Sequence, residues 1–299
     1  METRRLELLV ALARLGSMRA VAEEMGVTTS TVSQQIAALA RETGTALVEP
    51  VGRRVRLTPA GRRLADHGVT ILAAVDAARA DLDPDAEPAG TVRVSGFATA
   101  IRRSLLPLLA SLDGTGVRML IGEHEPGEAL DLLAEDAIDL ALVYDYALAP
   151  RVFDDRFEVV PLWTARWGLG VPADSAADGL PTVATVDRYR DDNWIVNSRN
   201  DADERAVAAL AAHAGFTPCI AHRADSLDLL QDLVAAGLGV GLLPEGMPAR
   251  AGVRLLPLRD PDVLLRAFAV VRRGRAAWAP LAMVVGRVIR GTDANVTGQ

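Results

Sequence analysis

The sequence predicts an α/β chain: an N-terminal winged helix-turn-helix, a linker helix and a two-lobe α/β body. Three observations predict it. Residues 17–39 hold two short helical patterns broken at Gly26 and Val27. Residues 59–82 hold one long helical pattern. From Thr91 onward, short apolar runs alternate with helical stretches, which argues for mostly parallel strand pairing. The divisions are residues 1–58 for the head, 59–90 for the linker helix and hinge, and 91–290 for the body. Lobe 1 takes residues 91–162 and 266–290, and lobe 2 takes 163–265.

Leu6, Leu9, Leu12 and Ala13 put one apolar face on a first helix. Ser17 follows Gly16 as an N-cap, and Ala20, Val21, Ala22 and Met25 give the next helix a small apolar face. Gly26 ends it, and Thr28 caps a second helix. There Val32, Ile36 and Leu39 form one buried stripe, while Thr29, Ser30, Ser33 and Gln34 share the opposite face. Short hydroxyls and an amide can bond base edges or phosphates, and small residues let a helix sit deep in a major groove. An ordinary helical pair with a solvated face has the same pattern.

After Gly44, Ala46–Val48 and Val55–Leu57 read as two short strands around Gly52, Arg53 and Arg54. This is a wing whose arginines reach DNA backbone or minor groove, or else a solvated turn. We take Ser17, Thr28, Thr29, Ser30, Thr31, Ser33, Gln34, Gln35, Arg53, Arg54 and Thr58 as the DNA-contacting set. Thr58 also caps the linker helix, with Pro59 at its first position. Leu57, Leu64, Ile71 and Ala78 repeat every seven residues, and Gly61, Gly68, Val75 and Leu82 fill the second seam. Gly68 costs the helix about 1 kcal/mol relative to Ala, which a close helix–helix approach would explain. The stripe predicts a dimerisation arm, or alternatively packing within one subunit. Asp83–Gly90 reads as a hinge.

In the body, strands are expected at Thr91–Ser95, Val117–Ile121, Asp139–Tyr144, Trp167–Val171, Trp194–Asn197, Pro218–His222, Val240–Leu243 and Val263–Val271. Helices are expected at Ile101–Leu112, Gly127–Glu135, Ala202–Ala214, Leu227–Ala236 and Ala277–Ile289, with fraying from Gly291. Val263–Val271 and the final helix return to the first lobe. Two lobes joined twice form a cleft, and clefts at strand carboxyl ends bind small molecules.

The 299 residues carry a formal charge of −7, which alone argues against nucleic acid. Its distribution reverses that reading. Residues 1–65 hold ten Arg against six acids, a net of +4, and the remainder is −11. A basic head on an acidic body suits a local DNA-binding module. All 32 basic residues are Arg, which with the abundant Ala reflects a GC-rich genome more than a function. Cys219 is the one cysteine, so no intrachain disulfide can form. It reads as a buried strand residue rather than a redox sensor. The charged N-terminus carries no signal peptide and no run spans a membrane, so a cytoplasmic protein is expected.

Several residues together resemble the LysR-type transcriptional regulators. They are Leu6, Leu9, Gly16-Ser17, Ala22, Val32-Ser33, Gln35-Ile36, Leu39, Gly44, Leu47 and Leu57-Thr58-Pro59-Ala60-Gly61. Looser matches are Leu106-Pro107, Asp139-Leu140-Ala141 and Gly237–Pro244. The resemblance spans nearly the whole chain. It implies a periplasmic-binding-protein-like effector domain, a linker-helix homodimer that can assemble into a tetramer, double-stranded promoter DNA as partner, and a small effector in the inter-lobe cleft. By the same resemblance, effector contacts fall at Ala98, Thr99 and Ala100, at Ser198 and Arg199, and at Asp225 and Ser226. Arg199 can pair with a carboxylate, pointing to an anionic effector, or can lie in an exposed loop. The chain departs from the pattern at Leu47-Val48-Glu49-Pro50, where the family has Leu-Phe-x-Arg, at Ala40 and at Thr29.

An enzyme reading finds little support. The four histidines lack metal-ligand spacing, and there is no G-x-S-x-G elbow, P-loop or dinucleotide fingerprint. His124 between Glu123 and Glu125 reads as a strand-end charge cluster rather than an acid–base site. No cofactor or metal is expected. A solute-binding protein is disfavoured by the basic head, and a ligand-independent DNA-binding regulator stays open.

Overall fold

In the head, three helices close on one apolar core. They are α1 (Thr3–Leu15), α2 (Met18–Met25) and α3 (Thr29–Thr43). Leu9, Leu12, Val21, Val32, Ile36 and Leu39 are buried in that core with Leu47 and Leu57. Each helix ends on a left-handed glycine, Gly16, Gly26 or Gly44, at φ near +64°, a conformation that only glycine adopts without a Cβ penalty. Ser17 accepts from the Ala20 N–H, and Thr28 from the Thr31 N–H at 3.1 Å. Strands β1 (Val48–Val51) and β2 (Arg54–Leu57) form the wing as an antiparallel pair. The first wing strand starts at Val48 rather than Ala46, because the Ala46 carbonyl accepts from the Thr58 hydroxyl at 2.7 Å instead of joining the ladder. The computed structural model describes residues 1–52, 54–82, 87–176 and 179–296. Arg53, the Arg54 side chain and residues 83–86 of the expected hinge lie outside the described residues.

Helix α4 (Pro59–Leu82) matches its expected span, but its two seams do different work. A Cβ on Gly68 would meet Val10 Cγ2 at 2.8 Å and Leu6 Cδ1 at 3.1 Å, both on α1. A Cβ on Gly61 would strike the Leu47 carbonyl oxygen at 2.0 Å. Gly61 and Gly68 therefore pack inside the head, which is the within-subunit alternative for this part of the stripe. The outward stripe is His67, Ile71, Ala74, Ala78 and Leu82, all exposed.

The body is built on one nine-stranded sheet of order β4-β3-β5-β11-β6-β9-β7-β8, with β10 also on β6. Lobe 1 uses β3 (Ala89–Gly96), β4 (Gly116–Glu123) and β5 (Leu140–Tyr146), all parallel. Lobe 2 uses β7 (Asn193–Val196), β8 (Cys219–Arg223) and β9 (Val240–Pro244), also parallel. Two long strands join them: β6 (Phe157–Pro172) and β11 (Val263–Arg272), antiparallel to each other. The Trp167–Val171 strand is thus the end of a sixteen-residue strand. Helices α7 (Pro126–Ala134), α9 (Ala202–His213) and α10 (Leu227–Ala235) fall where expected, and α11 (Ala279–Val296) begins close to its expected start. Elements not foreseen include α8 (Thr182–Asp187), strand β10 (Val253–Pro257) and a 3-10 turn at Arg275–Ala277.

Other expectations need correcting. Ile101–Leu112 is not one α-helix. It runs as α5 (Ala98–Ala100), a π-helical turn (Ile101–Leu105), a 3-10 turn (Leu106–Leu108) and α6 (Leu109–Leu112). Pro107 lacks the N–H that would bond the Arg103 carbonyl, so the regular ladder cannot continue. Cys219 is exposed, because it opens edge strand β8, whose residues alternate between exposed and half-buried. Helix α11 continues past Gly291 to Val296.

The head is tied to lobe 1. Arg272, at the end of β11, pairs with Asp66 of α4 at 2.9 Å, and Thr70 donates to the Arg273 carbonyl at 3.2 Å. Beneath that contact, Asp139 is 1% exposed and paired with Arg93 at 2.8 Å and Arg275 at 3.2 Å. Clefts of about 460 and 450 Å³ flank this junction.

Substituting Gly68→Val should overpack α4 against α1 and cost about 1–3 kcal/mol, read from the urea midpoint. Unchanged stability would mean that α1 and α4 do not approach as described.

Candidate nucleic-acid interface and inter-lobe site

Helix α3 turns Thr29, Ser30, Ser33 and Gln34 to solvent, while Val32, Ile36 and Leu39 are fully buried. The 3.6-residue period alone divides those faces. The Thr28 hydroxyl bonds both Ser30 Oγ and Thr31 Oγ1 at 2.8 Å, which fixes the hydroxyls at the helix start. Gln35 is turned away from that row: its Oε1 accepts from Arg5 Nε of α1 at 2.9 Å. Ser17 and Thr58 are engaged as caps, accepting from the Ala20 and Gly61 N–H groups. In the wing, Glu49 lies opposite Arg56 and accepts from it at 2.7 and 3.0 Å. The acid at the departure Val48-Glu49-Pro50 is therefore neutralised by its cross-strand neighbour.

The second site lies where strand carboxyl ends from both lobes meet. The loop after β3 carries Phe97, Ala98, Thr99 and Ala100. Phe97 packs edge-to-face against Tyr144 of β5 with ring centroids 4.6 Å apart and lies 6.1 Å from Trp163. Thr99 is exposed, Ala98 half-buried, and Ala100 fully buried in the lobe 1 core. The loop after β7 carries Asn197, Ser198, Arg199 and Asn200. Asn197 Oδ1 accepts from the Arg199 and Asn200 N–H groups at 2.7 and 3.2 Å, folding the loop over lobe 1. Ser198 is exposed. Ser226 caps α10 by accepting from the Leu229 N–H at 3.0 Å.

Arg199 and Asp225 are brought together at 3.2 Å, and Arg199 also binds Glu128 of lobe 1 at 2.6 Å. The carboxylates that Arg199 meets thus belong to its own chain and to both lobes. Beside it, Asn200 Nδ2 donates to Glu125 and to the Tyr144 hydroxyl, the latter at 3.0 Å. Arg205 of α9 donates to the Ala149 and Pro150 carbonyls at 3.2 and 2.8 Å. The junction is therefore held shut by polar contacts.

Burial sets the charges here. Glu125 is 7% exposed, and desolvation raises its pKa to about 7 against the pull of the Asn200 amide. Asp203, equally buried, rises to about 6 for the same reason. Burial also lifts the Tyr144 and Tyr146 hydroxyls far above their ordinary range. Glu128, hydrogen-bonded by Arg199, is held below the usual carboxylate range. Asp203 faces the Tyr146 hydroxyl, and Arg151 Nε is buried with no partner in hydrogen-bonding geometry.

Glu125, Glu128, Tyr144, Asn200 and Asp203 were not foreseen. One signal was present: Glu125-Pro126-Gly127-Glu128 has capping-box spacing, and the Glu125 N–H donates to Glu128 Oε2 at 3.0 Å. His124 does not join Glu125 as an acid–base pair. Its Nδ1 faces Ser95 Oγ at 2.9 Å.

Comparison with known proteins covers both sites. Residues 3–62 match the family model of the bacterial regulatory helix-turn-helix protein, lysR family, and residues 85–288 match the LysR substrate binding domain. The transcriptional dual regulator GltC of Bacillus subtilis is 29% identical over 85% of this chain and 84% of its own length. A probable hydrogen peroxide-inducible genes activator of Mycobacterium avium is 31% identical over 89% of this chain and 83% of its own. Among solved structures, a full-length OxyR variant from Pseudomonas aeruginosa superposes with a TM-score of 0.76 at 19% identity, covering 98% of this chain and 94% of that one. CbnR bound to its target DNA superposes with a TM-score of 0.51 at 23% identity, over 98% of this chain and 100% of that one.

Glu125 and Asp203 hold their protons to higher pH when folded than in the unfolded chain. Their burial therefore weakens the fold as pH rises from the ordinary carboxylate range to about 7. The melting temperature should fall between pH 5 and 8, and Glu125→Gln should make that decline shallower. An identical decline in the variant would show that Glu125 does not titrate in this window.

Proposed function

The chain belongs to the LysR family of transcriptional regulators, and we propose that it reads promoter DNA through α3 and answers to a small effector at the lobe junction. The observation that carries the first part is the clean division of α3, with a short polar row outward and an apolar row fully buried. Thr29, Ser30, Ser33 and Gln34 read base edges in the major groove, and Thr28 and Thr31 support their hydroxyls. Arg53 and Arg54 hold the backbone or minor groove beside them. Gln35, Ser17 and Thr58 are positioning residues.

The working unit in this proposal is a homodimer built on α4, whose exposed stripe of His67, Ile71, Ala74, Ala78 and Leu82 supplies the apolar face. Exposed Leu106, Leu109, Leu120 and Ile121 offer lobe 1 a further surface for assembly into a tetramer. Effector binding changes the closure of the lobes, and β6 and β11 carry the change through both. The Asp66–Arg272 and Thr70–Arg273 contacts then pass it to the head. Among the described residues no helix is long and apolar enough to cross a membrane, and a promoter-binding role places the protein in the cytoplasm.

Peroxide sensing, suggested by the names of several relatives, is not carried over. This sequence has one cysteine, and it is exposed on edge strand β8 rather than at the lobe junction.

Replacing both Ser33 and Gln34 with Ala should abolish discrimination between operator and random DNA, worth about 1–3 kcal/mol per good base contact. A steep salt dependence from phosphate contacts should persist. Retained discrimination in a fluorescence-anisotropy titration at fixed salt would remove α3 as the reader. Ile71→Glu should shift the protein toward monomer in sedimentation and weaken operator binding. An unchanged dimer would place the interface elsewhere.

A further inference from the structure

Arg199 sits at the lobe junction as a guanidinium held by carboxylates from both lobes. Glu128 of α7 binds it at 2.6 and 3.3 Å, and Asp225, just before α10, at 3.2 Å. The acids within reach of its fork are thus internal ones, which engage three of its five N–H groups while the side chain stays one-third exposed. Around it the balance is acidic. Glu125 is buried with only neutral partners, Asn200 and the Tyr144 hydroxyl. Asp203 is buried at the start of α9 and faces the Tyr146 hydroxyl of neighbouring β5, a neutral partner.

We propose that the effector is a small organic cation, an amine or guanidinium, that competes with Arg199 for Glu128 and Asp225 and is drawn in by Glu125 and Asp203. This rests on the effector-responsive reading above and replaces the anionic effector that Arg199 suggested in the sequence. Arg199 is then an internal stand-in for the ligand. While it bridges Glu128 and Asp225 the lobes are strapped together, and a free cation releases the strap. The groups facing Glu125 are Glu128 from α7, Tyr144 from β5, Asp203 from α9, Asp225 from before α10, and Arg199 and Asn200 from the loop between β7 and α9. The acids outnumber the one cation. Cation binding ionises Glu125 and Asp203, so protons leave as the ligand enters and affinity rises from pH 6 to 8.

The test uses the full-length protein with probes of matched size: putrescine and agmatine as cations, succinate and glutarate as anions, and 1,4-butanediol as the neutral control. Calorimetry in two buffers of different ionisation enthalpy measures binding and proton release together. At least one cation should bind saturably, at least tenfold tighter than either anion, with proton release. Glu125→Gln should weaken that binding at least tenfold, and Arg199→Gln should tighten it by removing the internal competitor. Preference for an anion, no saturable cation binding, or loss of binding in Arg199→Gln would each overturn the proposal. Operator binding by the same preparation, measured without probe, separates this outcome from the regulatory reading. Intact operator binding with no cation binding sinks the cationic effector alone.

Discussion

Everything in the body depends on the antiparallel pairing of β6 with β11. These two strands run from Phe157 to Pro172 and from Val263 to Arg272, and the ladder between them joins lobe 1 to lobe 2. Because β5 pairs with β11 and β9 with β6, each lobe is sewn to this central ribbon. Its consequence is geometric. The parallel strands of both lobes deliver their carboxyl-end loops to the same junction, where Arg199 meets Glu128 and Asn200 meets Glu125. The same β11 ends at Arg272 and Arg273, the residues that touch α4. One strand therefore connects the lobe junction to the linker helix.

Electrostatics divides the molecule in a complementary way. The head is basic and carries an exposed polar row on α3. At the lobe junction burial penalises the acids that Arg199 does not pair. Glu128 and Asp225 are ion-paired, whereas Glu125 and Asp203 are desolvated and hold protons near neutral pH. Buried, incompletely paired acids destabilise a fold.

Most of the architecture was legible in the sequence, because local rules governed it. Ser17, Gly26 and Thr28 mark helix ends by backbone chemistry alone, and the Val32-Ile36-Leu39 stripe needs only helical period. Where tertiary contacts decided, the reading missed. The seven-residue spacing of Gly61 and Gly68 looks the same whether the neighbour is α1 or a partner helix, and only the 2.8 Å approach to Val10 distinguishes them. Cys219 has apolar neighbours in sequence, yet it lies on an edge strand, and sheet order is invisible to periodicity. At the lobe junction, Arg199 and Asp225 were foreseen by resemblance. Glu128, which binds Arg199, lies 71 residues from it, and Glu125 lies 75 residues from its partner Asn200, and no local pattern links them.

The central claim is sequence-specific reading of DNA by a dimer. The most direct measurement is footprinting of the full-length protein on the DNA upstream of its own gene and its divergent neighbour, at stated salt. The account predicts protection of an interrupted dyad, with hypersensitive positions between the half-sites where the DNA bends. No protection at any salt, from protein shown to be folded and dimeric, would contradict it.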